Sequence, residues 1–193
     1  MQTLPHPNKI VIAGNHDITF HPDYYQKRGK QRFHKHHPED DAACKNFLAN
    51  CPGITYLEDS GVEIMGIKFW GSPWQPEFFD WAFNASRGEE IRQYWDKIPT
   101  GLDVLITHGP PFKLGDQTDI GEHVGCLDLL DAIERVKPKL HVFGHIHEGY
   151  GVTTANGTTF VNASTCTLRY RPTNSCVVID LVPSDDVATK ADL

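Results

Sequence analysis

Lys9-Ile10-Val11-Ile12-Ala13-Gly14-Asn15-His16-Asp17 is the stretch on which the fold turns. Lys9–Ala13 is a β-branched run that stops at a glycine, the pattern of a strand buried on both faces. Polar residues able to bind metal or phosphate follow at once. The same grammar recurs twice downstream. Asp103–Thr107 is a buried-strand run ending at His108-Gly109-Pro110-Pro111, and Leu140–Phe143 ends at Gly144-His145-Ile146-His147. In α/β sheets ligands sit beyond the carboxyl ends of the strands, so three strand ends that each deliver His or Asn predict one shared site. Side chains alternate along a strand with period two, so His145 and His147 point the same way in a strand that continues through them. Neutral imidazole is the commonest metal ligand. The Asn15 carbonyl oxygen adds a hard donor suited to a mixed N/O site for Mn, Fe or Zn.

Working outward, Thr19–Pro38 is polar and irregular, with a basic, His-rich tract at Lys27–His37 that reads as a solvated loop. Glu39–Asn50 reads as a helix led by acids and stopped by Cys51-Pro52-Gly53. Ile54–Leu57 is a short strand, and Val62–Ile64 and Ile67–Gly71 flank Met65-Gly66 as a hairpin. Phe78, Phe79, Trp81 and Phe83 suggest a hydrophobic cluster under a loop. Ser86-x-x-Glu89 is a capping box that opens a helix, with Ile91, Tyr94, Trp95 and Ile98 at helical spacing. Leu127–Val136 places Leu127, Leu130 and Ile133 on one helical face. Tyr150–Thr154 and Thr158–Asn162 flank Asn156-Gly157, the strongest short hairpin signal. Cys176–Leu181 reads as a last strand and Pro183–Leu193 as a frayed tail. The expectation is one α/β domain over residues 1–182, with 183–193 as tail.

Composition narrows the partners. Eighteen Lys and Arg against 25 Asp and Glu give a net charge of −7, which argues against a nucleic-acid polymer, whose backbone needs a basic footprint. Apolar runs are far too short for a spanning helix, so no membrane segment is expected. Five Cys form an odd set without C-x-x-C, and no secretory signal pattern opens the chain, so reduced thiols and a cytoplasmic location are expected.

Gly14-Asn15-His16-Asp17, then His108, then Gly144-His145-Ile146-His147 resembles the calcineurin-like metallophosphoesterases, in the order G-N-H-D/E, H, G-H-x-H. Gly71-Ser72-Pro73-Trp74-Gln75-Pro76, His123-Val124-Gly125-Cys126 and Phe143–Gly151 narrow the resemblance to the metallophosphoesterase domain-containing proteins within that family. The resemblance implies a metallophosphoesterase-type sheet sandwich flanked by helices. It implies that Asn15, His108 and His145 hold one metal and His147 the other. His16 would then face the phosphate and protonate the leaving oxygen, with Asp17 orienting its imidazole. Two metals of this kind clamp the phosphate and lower the pKa of a bound water to about 7. Trp74 is a candidate to stack on a substrate base at the pocket rim.

The sequence also departs from that pattern. The family's first motifs, D-x-H and G-D, do not precede Gly14, and the only Gly-Asp, Gly115-Asp116, follows His108 in a loop. The expectation is therefore a domain lacking its first βα units, holding at most one divalent cation and turning over slowly. The expected substrate is a small phosphoester, such as a nucleotide phosphodiester. The rival readings are a non-catalytic metal-binding remnant acting through protein contacts, and a binding module whose histidines are structural.

Overall fold

The apolar runs assemble as strands because each carries β-branched or aromatic side chains between turn residues. A computed structural model describes residues 3–182. Its strands are β1 Lys9–Val11, β2 Ile54–Tyr56, β3 Ser60–Ile64, β4 Ile67–Ser72, β5 Gln75–Pro76, β6 Asn84–Ala85, β7 Val104–Thr107, β8 Leu140–Phe143, β9 Gly151–Ala155 and β10 Thr158–Asn162. Its α-helices are α1 Pro22–Tyr24, α2 Lys30–Phe33, α3 Asp41–Ala49, α4 Glu89–Trp95 and α5 Leu127–Val136. The tail expected at 183–193 lies outside the described residues. No helix among them is long and apolar enough to cross a membrane.

Six strands form the central sheet in the order β3-β4-β7-β8-β10-β9. The inner strands β4, β7, β8 and β10 run parallel, while β3 and β9 close the edges antiparallel through the Met65-Gly66 and Asn156-Gly157 turns. Parallel inner strands bring Ser72, Thr107, Phe143 and Asn162 to one end of the sheet, and that end carries the site.

Helices α4 and α5 cover one face. Ile91, Trp95, Ile98, Leu129, Ile133 and Val136 pack there with Leu105, Phe143 and Phe160 from the sheet. Burial of this many large side chains, at roughly 1.5–3 kcal/mol each, is the main stabilising term. The start of α4 differs from expectation by one residue. Glu90, not Glu89, reaches back to the Ser86 N–H at 2.9 Å, because helical geometry begins only at Glu89.

The opposite face of the sheet buries Val104, Leu140 and Val161 beneath Val177 and Leu181. Cys176–Leu181, expected as a strand, therefore packs by its side chains but joins no ladder.

Two further expectations change. β1 pairs only with β2, in a separate parallel ladder, so it is half-buried rather than covered on both faces. Ile12 and Leu57, just beyond these strands, close over Gly71, where a Cβ would stand 2.5 Å from Leu57 Cβ and 2.7 Å from Ile12 Cγ2. The Thr19–Pro38 segment is largely helical: α1, a π turn at Tyr25–Gly29 and α2 follow one another. Its polar pattern hid two buried tyrosines. Tyr24 and Tyr25 join Ala13, Ile18, Ala82 and Phe83 in a second core behind the Asn15 turn. Arg28 and Arg32 fasten the segment's outer side to Asp80 at 3.3 and 3.2 Å, exposed contacts that contribute little energy.

Candidate active site

Local turns aim the candidate side chains. After β1, Asp17 N donates to Gly14 O at 3.0 Å, and Asp17 Oδ2 accepts from Gly14 N at 2.8 Å. This reciprocal pair closes a tight turn that points Asn15 inward, 2% exposed, and leaves His16 outward. Asp17 thus fixes the turn and is not set against the His16 imidazole. The His16 ring instead rests on Trp81, 4.4 Å between centroids.

His108 follows β7, and a buried hydroxyl shapes its turn. Thr107 Oγ1 donates to Gly109 O at 2.7 Å and lies 2.8 Å from His141 Nε2. One hydroxyl carries one proton, so Nε2 of His141 is the donor and its Nδ1 is bare. Burial pushes the His141 pKa down to about 3 and keeps this ring neutral. The backbone of His108 is tied to the next strand end, with Gly144 N donating to His108 O at 3.0 Å.

His145 sits at φ +69°, a left-handed conformation uncommon outside glycine. Strained backbone of this kind costs about 1–3 kcal/mol and clusters at functional sites. β8 ends at Phe143, as its apolar run predicts, so the alternation that would align His145 with His147 does not extend to them. His147 instead opens a 3₁₀ turn, His147–Gly149, with Nδ1 3.0 Å from Thr167 O and its ring against Tyr170.

Three donors converge. His108 Nε2 lies 2.7 Å from Asn15 Oδ1 and 3.1 Å from His145 Nδ1. Burial holds the His108 pKa well below its ordinary value, helped by the neighbouring His145, and lowers that of His145 to about 4. Both rings are therefore neutral, with lone pairs, at physiological pH. Two ligands about 2.1 Å from one cation and at right angles lie about 3 Å apart, so the trio has the spacing of a shared cation. His147 lines the same cleft outside the trio. Among the described residues no group of three His, Cys, Asp or Glu is placed to hold a metal; the convergent set needs its Asn.

The cleft over the trio measures about 640 Å³, with His16, Phe78, Arg87 and Tyr170 in its walls. Trp74 is not among its lining residues, which corrects the expectation of a base-stacking tryptophan. Its ring stacks on Tyr94 at 3.7 Å, meets Phe83 edge-on and donates Nε1–H to Asp59 at 3.1 Å. Trp74 turns toward Tyr94 and Phe83, and the four residues after it, Gln75 to Phe78, line the cleft. Phe78, which stands edge-on to His145 at 5.5 Å, takes the aromatic position at the rim. Gly115-Asp116 is a loop brace: buried Asp116 accepts from the Lys113 and Gly125 amides and faces His123.

The calcineurin-like phosphoesterase family model matches residues 2–149, which include the turn carrying Asn15 and the ends of β7 and β8. The chain belongs to the calcineurin-like phosphoesterase family. It is 47% identical over 187 residues to Metallophosphoesterase domain-containing protein 1 of Homo sapiens, covering 93% of this chain and 56% of that one. The Mus musculus protein of the same name matches equally. UPF0046 protein T07D4.2 of Caenorhabditis elegans is 40% identical over 192 residues, covering 92% of this chain and 48% of its own. The chain thus spans about half the length of these relatives. Members of a phosphoesterase family of this kind use divalent metals, and the Asn15–His108–His145 donor set fits one such ion.

Proposed function

We propose that the chain hydrolyses a small phosphodiester, of the nucleotide type, with the help of one bound divalent cation. The observation that carries this reading is the approach of Asn15 Oδ1 and His145 Nδ1 to His108 Nε2, at 2.7 and 3.1 Å, at the carboxyl end of the sheet. These residues would hold Mn, Fe or Zn, and the cation would supply charge to the phosphoryl oxygens and a bound water of lowered pKa. His16 lines the same cleft and would protonate the departing oxygen. Phe78 and Tyr170 give the cleft an apolar rim that suits an organic leaving group. The net charge of −7 favours a small substrate over a nucleic-acid polymer. Free thiols at Cys44, Cys126, Cys166 and Cys176 support a reducing, cytoplasmic setting.

The test uses bis(p-nitrophenyl) phosphate as substrate with bound metal measured in parallel. His16→Ala should retain its metal and lose roughly 10²–10⁴-fold in turnover, the usual contribution of a general acid. His145→Ala should lose metal and turnover together. Stoichiometric metal binding with no hydrolysis by the unsubstituted chain, across Mn, Fe and Zn, would favour a non-catalytic metal-binding role through protein contacts.

A further inference from the structure

Arg87 is the one lysine or arginine among the described residues that line the cleft; the lining acids are Glu77 and Glu148. An anionic substrate entering here finds a single permanent positive charge. That charge is held in place. Arg87 lies between β6 and α4, and its Nη1 donates to Gly125 O and its Nη2 to Val124 O, each at 2.7 Å. Those carbonyls are themselves braced. Buried Asp116, 1% exposed, accepts from the Gly125 amide at 2.9 Å and from the Lys113 amide at 2.9 Å, and the Val124 amide donates to its backbone carbonyl at 3.2 Å.

Two features separate this arginine from an ordinary surface one. Its hydrogen-bonded partners are neutral carbonyls, and no carboxylate neutralises it among the described residues. A guanidinium offers five N–H groups, so three remain after the carbonyls are served. An exposed arginine also carries rotamer entropy, which a ligand must overcome. Here much of that is lost before any ligand arrives, and preorganisation of this sort strengthens binding.

We infer that Arg87 is an oxyanion-binding residue of the cleft, giving its remaining guanidinium N–H groups to the phosphoryl oxygens of the substrate. The inference rests on the phosphoester reading above and adds the group that recognises the anion. A second anionic group elsewhere on the same substrate presents the same chemistry, and the choice of probes tells the two apart.

The experiment is calorimetric titration of the full chain with orthophosphate and, separately, with pyrophosphate. Arg87→Gln keeps a shorter, neutral amide donor and removes the charge; Arg87→Lys keeps the charge and removes the fork. Loss of a charge-assisted hydrogen bond should weaken orthophosphate binding by about 10–100-fold in Arg87→Gln, with Arg87→Lys between the two. The salt dependence of binding should flatten in Arg87→Gln, which loosening of the Val124–Gly125 loop alone would not produce. Equal orthophosphate affinity in the unsubstituted chain and Arg87→Gln overturns the inference and leaves the phosphoester reading standing. Weakening of pyrophosphate alone overturns the assignment to the phosphoryl group in favour of a second anion. Failure of the unsubstituted chain to bind orthophosphate overturns the phosphoester reading itself, and this inference with it.

Discussion

Gly14→Ala places one methyl group where the site has no room for it. The new Cβ would stand 2.5 Å from His108 Nδ1 and 2.6 Å from Cε1, against an ordinary contact of at least 3.4 Å. One of the two must move by about 0.9 Å. A ring that retreats by that much can open its 2.7 Å contact with Asn15 Oδ1 to at most about 3.6 Å, the limit at which the hydrogen bond is lost. If the turn retreats instead, Asn15 moves with it, being the next residue. Either path changes the spacing within the convergent trio. Overpacking costs about 1–3 kcal/mol and the lost hydrogen bond about 1 kcal/mol, so the variant should be destabilised by about 2–4 kcal/mol. A domain of ordinary stability survives that loss. Metal affinity should fall further, by about 10–100-fold, as when a residue that orients ligands is removed. Urea unfolding without metal and calorimetric titration with Mn²⁺ measure the two effects separately. An alanine variant with an unchanged urea midpoint and unchanged Mn²⁺ affinity would refute the argument, since the ring could not then occupy the space assigned to it.

Two further outcomes follow from the buried rings and the core tryptophan. His108, His141 and His145 all have folded pKa values below the ordinary 6.5, so the unfolded chain binds more protons below that pH. Metal-free stability should therefore fall from pH 6.5 toward 4, by up to about 1.4 kcal/mol per pH unit for each ring. His141→Gln, which keeps a donor for Thr107, should flatten that slope by one ring's share; urea midpoints at pH 7, 6 and 5 that show no flattening count against it. Trp74→Ala should cost about 3 kcal/mol in equilibrium unfolding, since it empties the space between Tyr94 and Phe83. Its KM for a phosphodiester should stay near that of the unsubstituted chain, and a selective rise for nucleotide substrates would return the tryptophan to the cleft.

The parallel sheet was legible because its inner strands are apolar runs with sharp polar stops, and those stops carry the site residues. His108 and His145 could be expected together because parallel strands of one sheet end on one side, whereas Asn15 joins them from the separate β1–β2 ladder. What the sequence hid was direction. Nothing in Ser72-Pro73-Trp74-Gln75 says which of its large side chains turns inward; Tyr94, remote in sequence, settles it by stacking on Trp74. The geometry of His145-Ile146-His147 was hidden for a related reason. Period-two alternation holds only while a strand lasts, and the left-handed turn at His145 cancels it. Arg87 gave no local signal, because its role depends on carbonyls some forty residues later in the chain. The helices at 22–33 were missed because buried tyrosines lie among basic residues that read as solvated.

The convergent trio draws its donors from two layers. Asn15 rides on the small β1–β2 ladder, whereas His108 and His145 ride on the central sheet, so their spacing measures how the layers are seated. The seat is at Gly71, where Ile12 and Leu57 come down onto bare backbone. A side chain at position 71 would act like a shim under a hinge plate. It would lift the ladder, and Asn15 with it, away from histidines that had not themselves changed. The tolerance of the site is thus set in part by the absence of a single methyl group on β4, a residue that touches none of the donors.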